Sequence, residues 1–310
     1  MNFQQLRIIR ETVRRNYNLT DVANALFTSQ SGVSKHIKDL EDELGVELFV
    51  RKGKRLLGLT EPGKELALVV DRMLVDANNI RRIAEQFANR DQGSLTIATT
   101  HTQARYTLPR IVGEFKRDFP RVHLQLHQGS PQEIAALLLS GEADIGIATE
   151  SLDQIPELAT FPVYEWQHAL VVPEKHPLAT KKKIALADIA EHPIVTYHEG
   201  FTGRTRINEA FAGAGLVPDI VLSALDADVI KTYVELGLGI GIIASMAFDP
   251  ARDRALKLLS IPGLFGTQVT KLAVRKGHYL RGYAYRFIGQ CAPALAIDQV
   301  KSAIAPQREE

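Results

Sequence analysis

The chain has 310 residues, 45% of them hydrophobic, enough for two or three folding units with sizeable cores. Its formal net charge is only +1, so the molecule as a whole is no electrostatic glove for nucleic acid, and any such role must come from a local patch. A single cysteine, Cys291, excludes a disulfide within the chain, reads as a small packed residue and fits a reducing cytoplasm. Residues 1–6 carry no apolar signal core, and no run of about 18 apolar residues occurs, so neither export nor a membrane span is expected.

Residues 19–30 predict a short helix and a turn, with Thr20 able to cap the start and Val22, Ala23 and Leu26 on one apolar face. In the helix that follows, Val33, Ile37, Leu40 and Leu44 step by four, three and four into a single buried stripe, which Gly45 ends. The other face carries Ser29, Gln30, Ser31, Ser34, Lys35 and Lys38. Short polar residues leading and lysines following suit a helix end in a major groove, where small groups meet base edges and lysines meet phosphate. Arg51, Lys52, Lys54 and Arg55 then surround Gly53 in a tight basic hairpin. Beside such a helix it reads as a wing along the DNA backbone; the bland alternative is a solvated turn.

Thr60 can cap a further helix that holds Pro62 and Gly63 in its first turn. Leu66, Val70, Met73, Ala77, Ile80, Ala84 and Phe87 alternate steps of four and three, a heptad seam of about three repeats. A seam needs a partner. A second copy is favoured, because two winged domains must be held at a fixed spacing to read a palindrome; the alternative is a helix lying on its own domain. Residues 89–93 read as a hinge.

From Ser94 strands alternate with helices: strands at 95–98, 123–126 and 143–148, helices at 106–115 and 131–139. The pattern restarts with strands at 169–172, 194–197, 220–223 and 240–243. A late strand at 271–274 and a helix from Tyr283 can return to the first lobe. Such alternation predicts parallel sheets covered by helices, here two doubly wound lobes around a cleft. The predicted architecture is therefore α/β: a winged helix-turn-helix over residues 1–59, a dimerising linker helix and hinge over 60–92, and a two-lobed effector domain over 93–310. Lobe I takes about 93–162 and 268–310, lobe II about 163–267.

Ligands in such sheets bind at the carboxyl ends of strands. Thr99, Thr100, Thr102 and Gln103 occupy that position after the first strand, and Thr149 ends the third. In the second lobe residues 197–205, with Thr202 between Gly200 and Gly203, precede another helix. Free amides at helix starts favour an anion, and hydroxyls add donors without a full countercharge. The group points to a small anion. An all-donor site prefers sulfate to protonated phosphate, unless Glu150 turns inward. Taken singly, each threonine reads as a helix cap.

Residues 25–45, Leu48-Phe49 and residues 59–63 resemble the winged helix-turn-helix of LysR-type transcriptional regulators, with Ser31-Gly32 where that family often has Pro-Ala. Residues 97–106, 128–131, 200–204 and 226–234 resemble the effector domain of its CysB/Cbl subgroup, and the N-terminal half looks most like Cbl. The resemblance covers nearly the whole chain. It implies a periplasmic-binding-protein-like cleft in which Thr100, Thr102, Gln103, Thr149 and Thr202 hold sulfate or a sulfur metabolite, with Trp166 at the rim. It implies regulation of cysteine synthesis or sulfonate use, with thiosulfate, acetylserine and adenosine phosphosulfate as further candidate signals. It also implies double-stranded promoter DNA as partner, a dimer through residues 60–88, a homotetramer, RNA polymerase as a further contact, no cofactor, and a place at the nucleoid in a bacterial cytoplasm.

Rival chemistry finds little support. His123 and His127 have metal-like spacing for a helix, but their segment alternates as a strand, which sets the rings about 13 Å apart. No nucleophile-elbow motif occurs, so neither catalytic nor metal-ligating residues are assigned. A secreted solute receptor would share the two lobes but would carry an export signal and no winged domain; the alternative that stays open is a DNA-binding regulator whose cleft is vestigial or takes a non-sulfur effector.

Overall fold

The computed structural model describes residues 1–53, 55–88, 91–201 and 203–305, apart from the side chain of Glu150. Lys54 of the wing, Asn89 and Arg90 of the hinge, and Thr202 therefore lie outside the described residues. Two compact units divide the chain, Met1–Ala84 and Glu85–Glu310.

In the first unit, helix α1 (Phe3–Arg14) opens with a capping box. Gln5 N–H donates to Asn2 Oδ1 at 3.0 Å, and Asn2 N–H donates to Gln5 Oε1 at 2.9 Å. Helix α2 (Leu19–Ala25) is capped by Asn18 rather than Thr20; the Asn18 side-chain carbonyl accepts from the amides of Thr20 and Asp21. Asn18 has the extended backbone that an N-cap needs, whereas Thr20 already lies in the first turn. Helix α3 (Gln30–Leu44) is capped by Ser29, which accepts from Gly32 N–H at 3.1 Å, and it stops at left-handed Gly45. Val33, Ile37 and Leu40 are buried with Leu6, Ile8, Ile9 and Val22, but Leu44, in the last turn and beyond that core, is 38% exposed. Strands β1 (Phe49–Lys52) and β2 (Arg55–Leu59) form an antiparallel hairpin.

Helix α4 runs Glu61–Ala88. Its first turn is capped by Thr60, which accepts from Gly63 N–H at 3.1 Å. Gly63 is required by close approach: a Cβ there would lie 2.1 Å from Leu48 O. The heptad residues divide. Leu66, Val70 and Met73 pack, with Leu74, into the winged core, whereas Ile80 and Phe87 are 69% and 76% exposed. The first half of the seam is thus satisfied within its own unit.

The second unit alternates through β3 (Gly93–Thr99), a π-helical turn (Gln103–Thr107) continuing into α5 (Leu108–Asp118), β4 (Val122–Gln128), α6 (Pro131–Ser140), β5 (Ile145–Ala148) and β6 (Leu158–Trp166). It continues with β7 (His168–Pro173), α7 (Leu186–Ala190), β8 (Ile194–Tyr197), α8 (Arg204–Gly213), β9 (Ile220–Ala224), α9 (Ala227–Glu235) and β10 (Ile240–Ala244). Then come β11 (Leu256–Ser260), β12 (Gln268–Arg275), α10 (Gly282–Cys291) and α11 (Ile297–Ile304). The sheet orders are β4-β3-β5-β12-β6 in lobe I and β11-β7-β10-β8-β9 in lobe II. The late strand and α10 do return to lobe I, where Tyr283, Phe287 and Ile288 pack with Leu95, Ile97 and Phe115.

Two features depart from expectation. Strands β6 and β11 are additional to those the sequence predicts, and the sheets are mixed rather than parallel. β12 runs antiparallel to β5 and β6, and β7 antiparallel to β10 and β11. The physical reason lies in the crossings. β6 of lobe I passes directly into β7 of lobe II through Gln167, and β11 of lobe II leads back to β12 of lobe I, so β7 and β12 enter their sheets at the end where β10 and β5 finish and must run antiparallel to them.

Candidate functional site

In the winged unit Gln30, Ser31, Lys35 and Lys38 are exposed along α3, and Ser34 is half-buried. Ser29 serves as the cap, with its Oγ 3.2 Å from Ser31 Oγ. Arg51, Lys52 and Arg55 are exposed on the hairpin. Arg51 also has a structural duty. Its Nη2 lies 2.5 Å from Glu41 Oε2, and the other Glu41 oxygen accepts from Leu48 N–H at 2.8 Å and Phe49 N–H at 3.2 Å. This buried carboxylate ties α3 to the hairpin.

In the second unit the carboxyl ends of β3 and β5 bring Thr100, Thr102, Gln103 and Thr149 together, all less than a tenth exposed. Thr102 and Thr149 stand at helix-cap positions, yet neither makes a side-chain cap bond. Capping therefore does not account for them. The Thr102 hydroxyl instead bonds the phenol of Tyr197 in lobe II, which also accepts from Ala244 N–H at 3.0 Å. Burial is the main cause holding the Tyr197 phenol protonated far above its ordinary range. Thr99 is structural, donating to Ile147 O at 2.9 Å. Gln103 is braced from below: its Nε2 donates to Thr270 Oγ1 at 3.3 Å, and its Oε1 accepts from Tyr164 OH. Trp166 is only 5% exposed, more buried than the expected rim position suggests.

In lobe II, α8 begins at Gly203, which is left-handed and carries no side-chain cap. Gly200 is left-handed as well, as the inward turn requires. Arg204 at the start of α8 and Arg105 after β3 are both engaged. Arg204 donates to Tyr197 O and to Asn208 Oδ1, while Arg105 Nε lies 3.1 Å from Asp228 Oδ2. Near these strand ends and helix starts the buried polar residues Thr100, Thr102, Gln103 and Thr149 are uncharged.

The lobes are bridged at Asp228 on α9. Its Oδ1 accepts from Tyr106 OH at 2.7 Å and lies 3.3 Å from Lys231 Nζ, and Arg105 holds the other oxygen. Burial pushes this carboxyl up, but the Tyr106, Arg105 and Lys231 contacts outweigh it and hold it below its ordinary value. Lys231 is itself buried between Asp253 Oδ2 at 2.9 Å and Ala247 O at 2.8 Å. His101, Asp226 and Asp228 bring potential metal-ligating atoms within 4.8 Å of one another, but Arg105 and Lys231 already balance Asp228, and Asp226 is occupied as the cap of α9. His123 and His127 are both exposed on β4, four residues apart in a strand rather than on one turn of a helix.

Residues 88–296 match the family model "LysR substrate binding domain", and residues 3–64 match "Bacterial regulatory helix-turn-helix protein, lysR family". The chain belongs to the LysR family of transcriptional regulators. It is similar to HTH-type transcriptional regulator SsuR of Burkholderia cenocepacia, 60% identical over 295 residues, which cover 95% of this chain and 96% of that protein. It is 53% identical to the regulator Cbl of Escherichia coli over 310 residues, 100% of this chain and 98% of that protein. To CysB of B. cenocepacia it is 51% identical over 309 residues, 100% and 99% of the two chains. The solved cofactor-binding domain of Cbl superposes with a TM-score of 0.67 at 48% identity, over 69% of this chain and 93% of that one.

As a LysR regulator the chain is a DNA-binding protein and not an enzyme. Among the described residues, no helix is long and apolar enough to cross a membrane. Sequence reasoning missed Tyr106, Tyr197, Asp228, Tyr164 and Thr270. Each meets its partner through contacts between segments 47–167 residues apart, and no local spacing signals that.

Proposed function

We propose that this LysR regulator controls sulfur-acquisition genes, for cysteine synthesis or sulfonate use, by sensing a small sulfur-related oxyanion such as sulfate between its lobes. The observation that carries the reading is the buried group Thr100, Thr102 and Thr149 at adjoining strand ends, beside helix starts that Thr102 and Thr149 do not cap through their side chains. The names of the similar proteins SsuR, Cbl and CysB support the sulfur assignment. Thr202 joins the site from lobe II, Gln103 forms its floor, and Trp166 its inner wall. Hydrogen bonds to a charged ligand contribute about 1.5–3 kcal/mol each, so the roughly 8 kcal/mol of micromolar binding needs several converging from both lobes.

The winged units (residues 1–59) of a dimer formed through residues 60–88 read two half-sites of promoter DNA, and two dimers assemble as a tetramer in the cytoplasm. Ser29, Gln30, Ser31 and Ser34 face the bases; Lys35, Lys38, Arg51, Lys52, Lys54 and Arg55 meet phosphates. Ligand closes the lobes of residues 93–310, and closure shifts the dimer arrangement through unequal affinity for two states. The test is a gel shift on promoters of sulfur-acquisition genes, with and without sulfate, thiosulfate, acetylserine and adenosine phosphosulfate. A mobility or affinity change with one of them is expected; no binding to these promoters, or no response to any effector, refutes the reading.

A further inference from the structure

The sheet beneath the threonine cluster continues as a ladder of paired side chains. β6 and β12 are antiparallel, with Tyr164 opposite Thr270 and Trp166 opposite Gln268. Residues directly opposite project to the same face, and so do residues two apart along a strand. Tyr164, Thr270, Trp166 and Gln268 therefore share one face. Gln103 sits on the first rung, bonded to both Thr270 and Tyr164. The Trp166 and Gln268 rung follows about 7 Å further along, the span of one small molecule.

This second rung carries two unsatisfied groups of opposite sense. Trp166 Nε1, a donor only, and Gln268 Oε1, an acceptor only, are both buried without a hydrogen-bond partner. The two residues are 5% and 0% exposed. The Gln268 amide cannot simply be turned over, because its Nε2 donates to Phe265 O at 3.1 Å and that carbonyl can only accept. The start of α8 closes over the pair. A Cβ at Gly203 would lie 3.1 Å from Gln268 Oε1 and 2.8 Å from His168 Cε1, and the His168 ring stands edge-on to Trp166 with centroids 5.0 Å apart. Buried polar groups are rarely left unpaired, and two of complementary sense at one helix start define what would satisfy them.

We propose that Trp166 and Gln268 form a specificity subsite that reads a hydrogen-bond donor on the effector, so that among the anions the cleft accepts, those carrying an N–H or O–H group bind more tightly than comparable ones that carry none, sulfate itself being among the latter. The proposal rests on the oxyanion cleft described above. An anion oxygen takes the indole N–H, and the donor of the same ligand takes Gln268 Oε1. An anion with no donor leaves Gln268 unpaired, which a site built around hydrogen bonding penalises.

Sulfamate and methanesulfonate test this directly. They have the same charge and nearly the same shape, and differ in an amino group against a methyl. Trp166 is the only tryptophan in the chain and lies in the subsite, so its fluorescence reports occupancy. Titration of the full chain should show sulfamate binding about tenfold or more tightly than methanesulfonate, with both signals suppressed by saturating sulfate. In Gln268→Met the two affinities should converge, through loss of sulfamate binding alone. Equal affinities in the native protein, whatever the variant does, overturn the subsite and leave the oxyanion cleft standing. Absence of any sulfate-suppressible binding overturns the cleft and the subsite together.

Discussion

Replacing Tyr106 by Phe removes one oxygen from the bridge between the lobes and leaves the ring in place. The lost bond is the 2.7 Å donation to Asp228 Oδ1. Hydrogen bonds to charged groups are worth about 1.5–3 kcal/mol. The lower end applies, because the Asp228 side chain is 41% exposed and water can replace the phenol in part. The rest of the network survives: Arg105 stays on Asp228, and Lys231 keeps Asp253 and Ala247 O. If ligand binds the closed lobes, a penalty of about 1.4 kcal/mol on closure lowers effector affinity roughly tenfold. Calorimetry with sulfate on Tyr106→Phe measures it. The effect should be equal at about pH 8 and about pH 5.5. The Asp228 carboxyl is held below its ordinary value, so its contribution is fully present above the ordinary carboxylate range and fades only as pH falls through the lower folded value. Native affinity in the variant would refute the bridge as a closing contact, and a loss confined to pH 5.5 would refute the assigned sign.

Other consequences follow from the same structure. Lys35→Ala should weaken promoter binding and reduce the magnitude of its log-log salt slope by about one; an unchanged slope removes Lys35 from the phosphate contacts. Ile80→Lys should disrupt self-association in sedimentation while leaving the melting of the winged unit intact, because Ile80 is 69% exposed and outside the winged core. Native Cys291 should resist alkylation at neutral pH and react only on unfolding, since burial pushes its thiol up to about 12. Rapid labelling of the folded chain would contradict that packing.

What is legible in the sequence is local. The α3 stripe, the Gly45 stop and the basic hairpin each lie within a few residues, and the structure reproduces them except at Leu44. The capping box at Asn2 and Gln5 is equally local, but its cap and partner are both amides, a weaker signal than the usual hydroxyl and acid. β6 escapes sequence reading because Pro162 interrupts it; the strand lies at the sheet edge, where a missing amide is tolerated. The heptad marks a seam, but periodicity does not say what covers it, and Val70 and Met73 face their own core. The threonine cluster is visible because strand ends and helix starts are local signals. The Asp228 bridge and the Trp166 and Gln268 rung are not, since each depends on sheet register or lobe contact across more than a hundred residues.

The central claim is that uncharged hydroxyls at the strand ends hold an oxyanion that the DNA reader feels. Sulfate titrations of the native chain and of Thr100→Val, with promoter affinity followed at each step, address it most directly. The account predicts saturable binding, weakened about tenfold in the variant by one lost bond, with promoter affinity unchanged when sulfate is absent. Superimposable sulfate isotherms for the two proteins would contradict it.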